Sequence, residues 1–227
     1  MLSFAKISPY LIYLRSYGTG ECHPGPLHSY LEGEHLTPSR DIPMREVTFS
    51  PERALESLLF LASKLENPTF HEVLKLRYFA DKMHFAKYGF LASGDRYVAM
   101  RFGPVASNTY NMMKASRGDR GEWIHPRFVA LVEGALSIKN NHVLVPLRPA
   151  RTEDLPPSDV ECLEAAIQEY GGMSFGERTE LSHDSAWKKA WDSACEEAAL
   201  SDEMSIGDIA ATLNNADEIL EHLRAQA

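Results

Sequence analysis

Apolar residues return at helical spacing through Leu55, Leu58, Leu59, Ala62 and Leu65, the pattern of a helix with one buried face. Its start is written just upstream. Ser50 is a strong N-cap, Pro51 suits the first helical position, and Glu52 complements the positive helix end. Asn67-Pro68 stops it. Thr69 and Glu72 have the spacing of a capping box for a second helix. That helix carries Phe70, Val73, Leu74, Leu76, Phe79, Ala80 and Met83, which leave it few wet faces and predict a central core helix. Gly89 supplies its C-terminal stop.

The period then shortens. Arg96-Tyr97-Val98-Ala99-Met100-Arg101-Phe102 alternates and predicts a strand, entered from Ser93-Gly94-Asp95 and ended by Gly103-Pro104. Residues 105–115 return to helix, with Tyr110, Met112 and Met113 as inward candidates. Residues 128–138 and 142–147 are two β-rich runs around Lys139-Asn140-Asn141, and Asn tolerates the left-handed conformations that a tight hairpin needs. After Pro156-Pro157, three pairs have capping-box spacing: Ser158 with Glu161, Ser174 with Glu177, and Ser205 with Asp208. The first of these helices sets Val160, Leu163, Ile167 and Tyr170 on one face and closes at Gly171. The last spaces Ile206, Ile209, Leu213, Ala216, Leu220 and Leu223 by threes and fours, and Asn214-Asn215 splits it. The expected fold is mainly α, a multi-helix domain with a small β hairpin or sheet inserted between helices.

Composition narrows the class. The chain has 227 residues, 44% of them hydrophobic and 24% charged, enough to bury a core without disulfides or metal. Its longest apolar run, Leu58-Leu59-Phe60-Leu61-Ala62, falls far short of the roughly 20 residues that span a bilayer, so no membrane partner is expected. The three cysteines, Cys22, Cys162 and Cys195, are scattered and suit a reducing cytoplasm. Residues 1–43 stand apart as an atypical Pro/Gly-rich segment, and Met44 offers an alternative translation start. Residues 44–227 read as a single mainly helical domain. The net charge of −9 divides into −1 over residues 1–43, +6 over 44–151 and −14 over 152–227. A basic middle and an acidic end either attract each other within the fold or present two faces to partners.

Catalytic patterns are weak. His71-Glu72 opens a zinc-hydrolase helix motif, but position 75, where the second imidazole belongs, is Lys. His183-Asp184-Ser185 holds triad residue types, yet adjacent residues do not supply triad geometry, and the run reads as a helix boundary. Cys22-His23 with His28 and His35 lacks structural-site spacing. There is no phosphate loop, dinucleotide fingerprint or Cys-x-x-Cys pair. No catalytic residue, cofactor or metal is expected, and the chain reads as a protein other than an enzyme. A helix followed by two β-rich runs within the basic segment gives an alternative, a winged-helix-like DNA-binding regulator. Its candidate recognition helix carries only Lys114, and the acidic end repels DNA unless it faces away, so nucleic acid is not the expected partner.

One ordered set of fragments is more specific. Lys75-Leu76-Arg77-Tyr78-Phe79-Ala80-Asp81, Tyr88-Gly89, Gly94-Asp95-Arg96-Tyr97-Val98-Ala99-Met100 and Phe102-Gly103-Pro104-Val105-Ala106-Ser107 together resemble the core of the Panacea domain, the family of the SocA-type antitoxins. Leu181-Ser182-His183-Asp184 with Ala186-Trp187, after Tyr170-Gly171, resembles its second block. The resemblance spans roughly residues 50–195 and leaves residues 1–43 outside. It implies a mostly helical antitoxin that neutralises a cognate toxin by direct binding, and an adaptor role that delivers the toxin to the ClpXP protease. Leu76, Tyr78, Phe79, Asp81, Gly89, Gly94, Gly103, Pro104, His183 and Trp187 are then structural motif residues. Binding of a protein partner calls for aromatic and Arg anchors. Arg96, Tyr97, Arg101, Phe102 and Tyr110 supply that mix, with the acidic C-terminal surface as the other candidate. Lys75, Tyr78 and Asp81 suit a buried polar set, and Trp187 with Trp191 a filled core.

Overall fold

A computed structural model describes residues 48–225; the expectations for residues 1–43 and for Met44 lie outside them. In chain order the elements are α1 (Pro51–Lys64), α2 (Phe70–Tyr88), β1 (Tyr97–Met100), β2 (Gly103–Ala106), α3 (Ser107–Arg117), α4 (Pro126–Val132), β3 (Leu136–Lys139) and β4 (Val143–Pro146). A 3₁₀ turn, Thr152–Asp154, leads to α5 (Pro157–Tyr170), α6 (Phe175–Ser182), α7 (Ser185–Glu196), β5 (Asp202–Glu203), α8 (Ile206–Ala211) and α9 (Ala216–Ala225). The fold is mainly α, with antiparallel sheets of order β2-β1-β5 and β3-β4 set among the helices.

α1 begins as its cap dictates, with Ser50 Oγ accepting from the Arg53 N–H. Every residue from Ala54 to Ala62 is buried, so α1 is enclosed rather than laid on the surface. Glu56 lies inside that run and accepts from Arg148 Nη1 at 2.9 Å, Arg148 Nη2 at 2.6 Å and the Arg151 N–H at 2.8 Å. Burial pushes its carboxyl up, but the hydrogen bonds from Arg148 and Arg151 outweigh this and hold it below the ordinary value. The segment after β4 is thereby strapped across α1. α2 is the central helix and packs on α5, β2 and α6. Thr69 Oγ1 accepts from the Glu72 N–H at 3.2 Å at its start, and Gly89, at φ 82°, ends it.

Four expectations need correction. Gly103-Pro104 does not end the first strand; Met100 pairs with Gly103 across a two-residue turn, and 103–106 is the returning strand. Helix α3 therefore starts at Ser107. Residues 128–132 are helical because Pro126 occupies the first turn and His125 Nδ1 accepts from the Arg127 N–H; their apolar run hides these start signals. Ser158 is not a cap, since the helix begins at Pro157 and Ser158 Oγ instead bonds His84 Nε2 at 3.1 Å. The innermost face of α5 is Asp159, Cys162, Leu163 and Ala166, while Val160, Ile167 and Tyr170 pack at its margin. β5, which pairs with the free edge of β1, has no sequence signal. The hairpin at Asn140-Asn141 and the Ser174–Glu177 capping box form as expected. So does the split at Asn214-Asn215, where Asn215 Nδ2 donates to the Ala86 carbonyl at 2.9 Å and caps the end of α2.

Candidate functional site

Behind β1 lies a buried polar network. Arg77 is 2% exposed. Its Nη1 donates to Asp159 and its Nη2 to Asp81, both at 2.9 Å. Asp81 also accepts from the Tyr97 hydroxyl at 2.7 Å and the Ser93 N–H at 3.0 Å. Burial opposes the Arg77 charge, and the two carboxylates more than restore it. A cavity of about 10 Å³ lined by Arg53, Ser57, Arg77, Ser93, Thr109 and Asp159 adjoins this network, the size of a single water site. Asp95 does a second job. Its carboxylate accepts from the Asn108 N–H at 2.9 Å and the Thr109 N–H at 2.8 Å, so it caps α3 from twelve residues upstream. Burial raises its carboxyl above the usual range.

The two-residue turn between β1 and β2 is held from both sides. Trp187 Nε1 donates to the Met100 carbonyl at 2.9 Å, and Lys75 Nζ donates to the Pro104 carbonyl at 2.8 Å. Gly103 has φ 100°, and a Cβ there would lie 2.5 Å from Ser182 Oγ and 2.8 Å from Lys75 Cε, so only glycine fits. Each pin has its own support. The His183 ring stacks on Trp187 at 3.5 Å, and Trp187 stacks on Trp191 at 6.0 Å. Asp184 caps α7 by accepting from the Trp187 N–H, and accepts from the Tyr78 hydroxyl and Lys82 Nζ at 2.8 Å each. At the tip, the Arg101 guanidinium lies 5.2 Å over the Phe102 ring, and Phe102 meets Phe175 edge-on at 5.6 Å. Phe175 in turn packs on His71 at 3.9 Å, whose Nε2 is 2.9 Å from Thr179 Oγ1.

Burial lowers the Lys75 ammonium to about 7. It lowers His71 to about 3, with help from the neighbouring Lys75 and Arg178 charges, and His183 to about 4, with help from Lys75. Both imidazoles are therefore neutral at neutral pH.

The five sequence-nominated contact residues do not share one surface. Arg101 and Phe102 form the turn, half-buried. Tyr97 is 2% exposed and belongs to the core, a correction that follows from its hydroxyl reaching Asp81. Arg96 is exposed and pairs with Glu203 at 3.6 Å. Tyr110 lies on α3 edge-on to Phe70 at 6.1 Å, with Lys114 Nζ 4.5 Å over its ring. Leu76, Tyr78, Phe79 and Asp81 are buried along α2, and Gly89, Gly94 and Gly103 all take positive φ. Pro104 is buried in β2, and His183 and Trp187 form the stack. Sequence reasoning missed Phe175; the capping box at Ser174 was the signal that placed it at a helix start. It also missed Asp159 as the second partner of Arg77.

The acidic C-terminal third is stitched to the basic middle rather than standing apart. Asp159, Glu161, Asp184 and Glu203 pair with Arg77, Lys87, Lys82 and Arg96. Among the described residues, no helix is long and apolar enough to cross a membrane, and no three His, Cys, Asp or Glu side chains gather as a metal site would require.

No curated protein and no solved structure matches the chain. A family model does, the SocA-like antitoxin, Panacea domain, over residues 73–188. That span runs from α2 to α7 and contains the β1–β2 turn and all the residues that pin it. It covers just over half of the chain, which therefore belongs to the SocA-like antitoxin family with a Panacea domain.

Proposed function

We propose that this protein neutralises a cognate toxin by direct protein–protein binding, and that the toxin docks on the Arg101-Phe102 turn and the adjoining Phe175. The protein acts stoichiometrically in the cytoplasm, without catalysis. The observation that carries this reading is an aromatic–arginine turn pinned on both flanks and lying inside the family-matched span. Aromatic and Arg side chains are the usual energetic anchors of an interface. A turn already fixed in place loses little further freedom on binding.

The test is co-expression with the open reading frame beside this gene. That frame is expected to be toxic alone and harmless with the wild-type protein, and an Arg101→Glu/Phe102→Ala variant of unchanged thermal stability is expected to lose the rescue. Full rescue by that variant overturns the docking face. Absence of rescue by wild type overturns toxin neutralisation. Handing the bound toxin to ClpXP is part of the proposal and rests on the family likeness alone. The expected result is a toxin half-life that shortens with this protein and lengthens again when ClpXP is deleted.

A further inference from the structure

Lys75 is 1% exposed, and its amine reaches the Pro104 carbonyl at 2.8 Å. Among the described residues no carboxylate pairs with it, and burial disfavours its charged form. Its neighbours explain why. On α2 itself stand His71 and Glu72, on α6 Arg178, in the α6–α7 link His183 and Asp184, and in the turn Arg101; β2 contributes no titratable side chain. Glu72 is engaged by Arg178 at 3.1 Å, and Asp184 by Lys82 and Tyr78. The groups shown to feel the Lys75 charge are the His71 and His183 imidazoles, which stay neutral near pH 7.

We infer that Lys75 is a positioning residue whose protonation state sets how firmly the Arg101-Phe102 turn is seated. As an uncharged amine it donates to Pro104 and is compatible with its apolar surroundings. As an ammonium it has lost its hydration and gained one acceptor, a costly arrangement that is relieved when the hairpin lifts and readmits water. The Gly103 backbone passes so close to the Lys75 side chain that a Cβ there would lie 2.9 Å from Nζ. Nζ also bonds the next carbonyl, that of Pro104, so a change at the amine is felt in the backbone of the turn. The direction follows from proton linkage. The seated state carries a pKa of about 7 against an ordinary 10.5, so between those values the lifted state holds more protons. Seating therefore strengthens as pH rises through that window and is flat below it, by at most about tenfold per pH unit for one proton. The consequence for toxin affinity rests on the docking reading above; the seating itself does not.

Two measurements on the protein alone test it. The Lys75 ¹³Cε resonance is expected to titrate near neutrality, and an ordinary titration near 10.5 overturns the inference. The Trp187 indole N–H, bonded to Met100 on the opposite flank, reports lifting through its exchange rate after correction for intrinsic base catalysis. In wild type the lifting equilibrium is expected to fall steeply, toward tenfold per unit, from pH 7.5 to 9. In Lys75→Met the pH dependence vanishes, and in Lys75→Arg lifting is raised at every pH. An unchanged pH slope in either variant overturns the inference. Where a variant does not fold, the wild-type ¹³Cε titration decides alone.

Discussion

The β1–β2 and β3–β4 hairpins have strands of equal length, and they differ in what shapes their turns. The β3–β4 turn is made locally. In the three-residue connection between Lys139 and Val143, Asn140 and Asn141 take φ of 52° and 65°, the left-handed region that Asn tolerates. The Asn141 carbonyl accepts from Arg117 Nη1 at 3.2 Å and the His142 carbonyl from the Phe70 N–H at 2.8 Å. The β1–β2 turn has no such turn residues in Arg101-Phe102. It is shaped by Gly103 and held by Lys75 and Trp187, which come from helices 29 and 87 residues away in sequence. Both turns are tied to the core, but in β3–β4 the turn residues themselves adopt the reversal, whereas in β1–β2 it depends on Gly103 and on side chains from two helices. The second arrangement suits a binding face, because its side chains are held before the partner arrives.

The difference is open to disruption, beginning with the network under β1. Asp81→Ala leaves Arg77 with a single carboxylate and the Tyr97 hydroxyl without its acceptor. It is expected to lower unfolding stability by about 3–5 kcal/mol in chemical denaturation. A loss below about 1 kcal/mol would place this network among surface-like ion pairs. Gly103→Ala is next. It forces a Cβ into a left-handed position and against Ser182 and Lys75, at an expected cost of about 3 kcal/mol, again read by denaturation. Asn141→Gly, which completes an Asn-Gly turn in the other hairpin, is expected to change stability by less than about 0.5 kcal/mol, toward a gain. Comparable losses for the two turn substitutions would erase the distinction between the hairpins.

The same contrast sets what the sequence can reveal. Local chemistry was legible: Ser50, Thr69 and Ser174 cap their helices, Gly89 closes α2, Asn140-Asn141 turns a hairpin, and Asn214-Asn215 splits the last helix. Support that comes from far away was not. Beside Arg101, Gly103-Pro104 announces a break but not that the chain pairs back on itself, because the contacts that seat the hairpin come from Lys75 and Trp187. Likewise Ser158 carries the spacing of a cap yet serves His84, and Tyr97 looks like a surface anchor until Asp81 is seen behind it. Family motif residues bridge that gap. Lys75, Gly103 and Trp187 lie in three separate fragments of the sequence and meet around one turn.

The most direct measurement is calorimetric titration of the purified toxin into two variants, one from each hairpin region. Phe102→Ala removes the tip of the pinned turn, and Leu147→Ala removes a side chain that is 55% exposed just after β4. The account predicts that Phe102→Ala weakens binding by about 30-fold or more, the roughly 2 kcal/mol of an interface anchor, while Leu147→Ala leaves affinity unchanged. Equal affinities for wild type and Phe102→Ala, or a loss confined to Leu147→Ala, would contradict it.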